Sequence, residues 1–172
     1  VYLLDKIVEQ IDYALLFLET REDARNLTLL LKKFEKDGTK VVCVMTVERA
    51  QEWYEVMLSL KQNPLISFII LGEPYGPHIP LANSPLGTFI FSALKNKKVM
   101  LGGNDLTPLF PIFETDAIHG IHFLLFRNTT GCGVFFLFYR SPHTLISAIH
   151  LLKRIEPELA IEFQERRDAQ EE

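Results

Sequence analysis

The run GIHFLLFRNTTGCGVFFLFYR, from Gly120 to Arg140, constrains what this chain can fold into more than any other stretch. Two apolar segments flank a polar, glycine-containing loop, which is the pattern of an antiparallel hairpin. Alternate side chains of a strand point to opposite faces, so Ile121, Phe123 and Leu125 lie on one face and His122, Leu124 and Phe126 on the other. A sheet that is apolar on both faces needs a helical layer on each side. The expected fold is therefore α/β, with a single mixed, partly antiparallel sheet sandwiched between helices on both faces.

The remaining segments supply those layers. Tyr2 to Ile11 has helical spacing, and YALLFLE follows as a buried strand. Arg25 to Phe34 places Leu27, Leu30, Leu31 and Phe34 at i, i+3, i+4 and i+7, with Gly38 as a stop. This favours a helix over a strand paired with YALLFLE, and the choice of fold turns on it. KVVCVM, VERAQEWYEVMLSLKQN and ISFIILG read as a strand, helix, strand unit, which implies a right-handed parallel crossover if both strands share one sheet. EPYGPHIPLANSPLG is a loop. Ser84 and Pro85 open a further helix, KKVML is a short strand, and NDLTPLFPIF is broken or looped. Ser141 and Pro142 then begin a last helix with the stripe Leu145, Ile149, Leu152, Ile155 and Leu159.

At 172 residues and 48% hydrophobic content the chain suits one domain over 1–172. A net charge of −4 supplies no basic field for nucleic acid, and no apolar run reaches the roughly 18 residues of a membrane span. The start shows no signal-peptide order, so a cytoplasmic protein is expected. Cys43 and Cys132 are far apart, and free thiols are the more economical reading than a disulfide. The charged run QERRDAQEE at the end suits a domain with helices leading in and out of a longer protein.

Chemistry-bearing patterns are sparse. In a strand His119 and His122 would face opposite ways and could not share an ion, so no metal site is expected. Cys132, between two glycines, offers a thiol for redox sensing or catalysis, set against a plain turn role. There is no GxSxG elbow, HExxH or dinucleotide-binding glycine fingerprint, and no catalytic set emerges.

From Pro85 onward, SPLGTFIFSALKNKKVMLGGND, then GCGVFFLFY, then LLKRIEPELAIEFQ resemble the second half of a GAF domain, a sensory module of bacterial signalling proteins. The first half departs from that family. ALLFLETREDARNLTLLLKKFEKDGTKVVCVMT followed by ISFIILG resembles a receiver domain instead, but Glu19 with Thr20 and Gly72 with Glu73 stand where the acidic cluster and the phospho-accepting aspartate belong, so it would be a pseudo-receiver. The GAF resemblance implies a pocket with polar contacts from Thr88, Ser92, Asn104, Asp105 and Thr107, an apolar wall of Phe89, Phe110 and Phe123, and His122 from the sheet. The same phenylalanines serve equally well as core.

The function expected is a non-catalytic sensory domain of a signal-transduction protein. It would bind a small ligand, with no cofactor identified, and relay the change through its terminal helices to an output domain of the same chain or a partner. The stripe Leu145, Ile149, Leu152, Ile155 and Leu159 is the expected homodimer surface. The alternatives are a pseudo-receiver interaction module and a thiol-based sensor or enzyme using Cys132.

Overall fold

The computed structural model describes residues 11–19, 23–80, 85–101, 106, 108–127 and 133–163. In chain order the elements are β1 Tyr13–Phe17, α1 Asp23–Asp37, β2 Lys40–Thr46, α2 Val47–Ala50, α3 Tyr54–Leu60, β3 Ile66–Leu71, β4 Glu73–Tyr75, α4 Pro85–Asn96, β5 Lys98–Leu101, β6 Pro111–Phe113, α5 Glu114–Phe126, β7 Gly133–Leu137, α6 Leu145–Ile155 and β8 Ala160–Phe163. The chain, read above as one domain, forms two compact units, one of residues 1–72 and 112–138, the other of 73–111 and 139–172. The helix expected over Tyr2 to Ile11 lies outside the described residues, except for Ile11, which is not helical.

The first unit is built on a four-stranded sheet in the order β1-β2-β3-β7. Every pairing is parallel: Tyr13 opposes Lys40, Val41 opposes Ile66, and Ser67 opposes Gly133. The segment holding Arg25 to Phe34 is helical, within α1, and the strand, helix, strand unit is present as β2, a helix broken at 51–53, and β3. Apolar runs without alternation are what a two-sided sheet requires. Val41, Cys43, Met45, Ile66, Phe68 and Ile70 pack against Leu27, Leu31 and Phe34 of α1 and against Trp53 and Met57. Val42, Val44, Ile69 and Leu71 pack on the opposite face against Ala117 and Leu124 of α5. Each fully buried Val, Ile, Leu or Phe stabilises by about 1.5–3 kcal/mol, so the two faces carry most of this unit's stability.

The sheet corrects the expected hairpin and its antiparallel pairing. Its second arm is strand β7, but the first arm, Gly120 to Phe126, belongs to helix α5. Ala117, Ile121, Leu124 and Leu125 fall at i, i+4, i+7 and i+8, and these are the positions packed against the sheet. A seven-residue apolar run shows no period of its own, and the turns preceding it settle the helix. With α5 lifted out of the sheet, β7 takes β3 as its parallel neighbour.

In the second unit, Phe89 and Ala93 of α4, Val99 and Leu101 of β5, Ile149 of α6 and Leu159 share one core. Helix α6 begins at Leu145, three residues beyond the expected start, with Thr144 Oγ1 accepting from Ser147 N (3.2 Å) and Ser147 Oγ accepting from Thr144 N (2.9 Å). The closing run is not one helix. Pro157 lacks an N–H and disfavours helical geometry at Glu156, so α6 stops at Ile155. The chain then returns as β8, parallel to β5 with Lys98 opposite Ala160.

Candidate functional site

Helix α4 carries the most distinctive surface of the second unit. Its first turn includes Pro85, and the backbone N–H of Leu86 donates to Glu73 Oε1 at 2.7 Å, which satisfies one of the donors a helix start leaves open. Thr88, Ser92 and Asn96 follow at intervals of four and form one polar row along the helix. Phe89 and Ala93 turn the neighbouring stripe into the core.

A cleft of about 470 Å³ opens beside this row, lined by Thr88, Phe89, Ser92, Asn96, Lys98, Val99, Met100 and Leu145. Phe89 and Val99 are buried, Ser92, Lys98 and Leu145 are half-buried, and Thr88, Asn96 and Met100 are exposed. The row offers two hydroxyls and an amide, each able to donate and to accept. Lys98 is the cation of the lining, and its Nζ lies 2.6 Å from Glu162 Oε2, so its charge is largely compensated. Such a cleft suits a ligand with an apolar ring face and several hydroxyl groups.

Of the residues singled out from the sequence, Thr88, Phe89 and Ser92 line the cleft. Asn104, Asp105 and Thr107 lie outside the described residues. Phe110 sits just before β6 in the same unit, where its carbonyl accepts from Glu73 N at 2.9 Å. His122 and Phe123 are exposed on α5 of the first unit. Sequence reasoning missed Asn96, Lys98, Val99 and Met100. The signal that would have found Asn96 is the interval of four from Thr88 and Ser92. Leu145, expected at a dimer surface, lines the cleft, while Ile149 and Leu159 are buried in the core, Leu152 packs against it, and Ile155 is 78% exposed.

The histidines and cysteines also sit differently from expectation. His119 and His122 are three apart on a helix, not on opposite faces of a strand, and His122 contacts the Phe126 ring at 4.7 Å. Among the described residues no three His, Cys, Asp or Glu side chains gather where they would hold a metal ion. Cys132 lies outside the described residues, and Cys43 is buried in β2, where burial pushes its thiol up to about 12. No helix among the described residues is long and apolar enough to cross a membrane.

No family model matches the sequence, and no curated protein matches it significantly. Solved structures resemble it in fold. The ADP-L-glycero-D-manno-heptose-6-epimerase of Helicobacter pylori matches at a TM-score of 0.75 and 12% identity, over 93% of this chain and 64% of that one. The dTDP-glucose 4,6-dehydratase of Bacillus anthracis, solved in complex with NAD, matches at 0.70 and 16% identity, over 95% and 64%. The UDP-glucose 4-epimerase of Thermotoga maritima, solved with UDP-glucose, matches at 0.69 and 14% identity, over 98% and 69%. The chain spans 55% to 69% of the length of the structures it resembles.

These likenesses show the fold, and they overturn the GAF and pseudo-receiver resemblances together with what rested on them. The signalling role and the non-catalytic status give way to a fold carried by sugar-nucleotide epimerases and dehydratases. The pseudo-receiver module falls with them.

NAD, present in one of those neighbours, does not fit the residues described here. In an open α/β sheet a dinucleotide lies at the carboxyl ends of the strands, its pyrophosphate against a glycine-rich turn and a helix N-terminus. Among the described residues, β1 leads into Glu19, a carboxylate where a pyrophosphate would need backbone donors. No glycine precedes Gly38, and the chain contains no G-x-G-x-x-G.

Proposed function

We propose that this chain serves in the modification of a nucleotide sugar, and that the cleft beside α4 takes the hydroxyl-bearing part of that substrate. The observation that carries this reading is the row Thr88, Ser92 and Asn96 standing over the floor of Phe89, Val99 and Leu145. Its support from likeness is the fold shared with enzymes whose substrates are nucleotide sugars.

The chemistry follows from the side chains. Hydroxyls and an amide exchange hydrogen bonds with sugar hydroxyls without demanding charge, and the apolar floor receives the ring's C–H face. The Lys98 ammonium, shared with Glu162, lends a partial positive field suited to the near edge of a phosphate. These residues bind and orient. No hydride step is assigned to them.

The test is ligand-observed NMR with UDP-glucose and, separately, NAD, on the wild-type chain and on Ser92→Ala with Asn96→Ala. Saturation transfer to the glucose and uridine protons is expected, reduced several-fold in the double variant, since each lost hydrogen bond is worth about 0.5–1.5 kcal/mol. NAD is expected to show none. Transfer to NAD alone, or transfer to UDP-glucose that ignores the double substitution, would remove the reading.

A further inference from the structure

The cleft beside α4 carries a charged pair on its β5 side. Strand β5 turns Val99 and Leu101 into the core of the second unit, so Lys98 and Met100 stand on its other face, where both line the cleft. Strand β8 runs parallel to it, with Ala160 opposite Lys98 and Glu162 opposite Met100. Glu162 therefore shares the face of Lys98 one diagonal step along, and its Oε2 lies 2.6 Å from Lys98 Nζ. Lys97 is paired separately, with Glu156 Oε1 at 3.4 Å and Glu158 Oε2 at 3.6 Å.

Two features make the Lys98–Glu162 pair exchangeable. The side chains are 43% and 52% exposed, a regime in which an ion pair adds little to stability. The ammonium also has three donors, and a single carboxylate contact leaves it free to turn toward another anion. A nucleotide sugar brings two phosphate charges against the one of Glu162. With its hydroxyls held by Thr88, Ser92 and Asn96, its sugar-linked phosphate meets Lys98 at a high effective concentration.

We propose that Lys98 is the phosphate-reading residue of this cleft, and that Glu162 is an internal counter-anion which the phosphate displaces. The subsite rests on the substrate reading of the same cleft and names the groups that set its preference for charge. A neutral sugar offers the ammonium no anion and leaves the pair intact. Lys98 thus favours phosphate-bearing sugars, and Glu162 restrains that preference by competing for the same cation.

NMR titration with UDP-glucose and with methyl α-glucoside, on the wild-type chain and its variants, reads this directly. Glu162→Gln is expected to tighten UDP-glucose by about two- to fivefold, the fold-change of a surface ion pair removed, and to leave methyl α-glucoside unchanged. Lys98→Gln is expected to weaken UDP-glucose by about tenfold, and adding Glu162→Gln to it is expected to do nothing further. Glu158→Gln, which removes the same charge from the turn before β8, is expected to bind like wild type. UDP-glucose binding that ignores Glu162→Gln while still responding to Ser92→Ala with Asn96→Ala would overturn the exchange and leave the substrate reading standing. Equal tightening in Glu158→Gln, or tightening that persists without Lys98, would overturn it in favour of a general charge effect. Absence of binding in every protein would overturn both.

Discussion

The carboxylate of Glu73 accepts a hydrogen bond from the backbone N–H of Leu86 at 2.7 Å, reaching across thirteen residues of chain to hold the first turn of α4. This single contact ties the end of one strand to the helix that carries Thr88, Ser92 and Asn96. A helix start carries a partial positive charge, and the acceptor it receives here is an anion. Glu73→Ala should cost about 1–2 kcal/mol in urea unfolding, by analogy with a lost helix cap, and Glu73→Gln less, because an acceptor oxygen remains. Wild-type stability in both variants would show that the contact does not organise α4.

Gly120 sits in mid-helix for a packing reason. A Cβ built there would lie 2.7 Å and 2.9 Å from the two methyl carbons of Leu137, so a side chain at 120 requires the Leu137 side chain on β7 to move. Alanine would gain about 1 kcal/mol in helix propensity and lose about 1–3 kcal/mol to overpacking. Gly120→Ala should thus destabilise the wild type by about 1 kcal/mol and stabilise a Leu137→Ala background. The sign reversal, measured by urea unfolding of the four proteins, is a double-mutant cycle. Stabilisation in both backgrounds would refute the close approach.

Cys43 has its thiol held protonated by burial, with its pKa pushed up to about 12 from an ordinary 9.0. Between those values the unfolded chain ionises and the folded chain does not, so the folded state binds the extra proton. Stability from this group is complete below pH 9 and declines as pH rises toward 12, at up to about 1.4 kcal/mol per pH unit. Urea unfolding of wild type and Cys43→Ala through this range should show the steeper decline in the wild type. The native thiol should also resist alkylation at pH 8, whereas equal alkylation rates for native and unfolded protein would contradict the burial.

The secondary elements were legible where a short-range pattern leaves one reading. The continuous apolar runs KVVCVM and ISFIILG, closed by turn residues, became β2 and β3, and the i, i+3, i+4, i+7 spacing of Leu27 to Phe34 became α1. The run GIHFLLF was not legible. It is apolar in both alternation phases and too short to display a helical period, so strand and helix fit it equally. Thr88, Phe89 and Ser92 were reached through a resemblance that the fold overturns, and they line the cleft because α4 turns them toward β5.

The amino-acid sequence by itself determined which segments are amphipathic, which are buried on two sides, and that helices must cover both faces of a sheet. Those properties are set by side chains within three or four residues of one another. Only the tertiary structure decided that β7 lies parallel to β3 and that the segment after Glu156 returns as a strand beside β5. Strand partners are chosen by burial summed over residues far apart in the chain, and no local period records that sum.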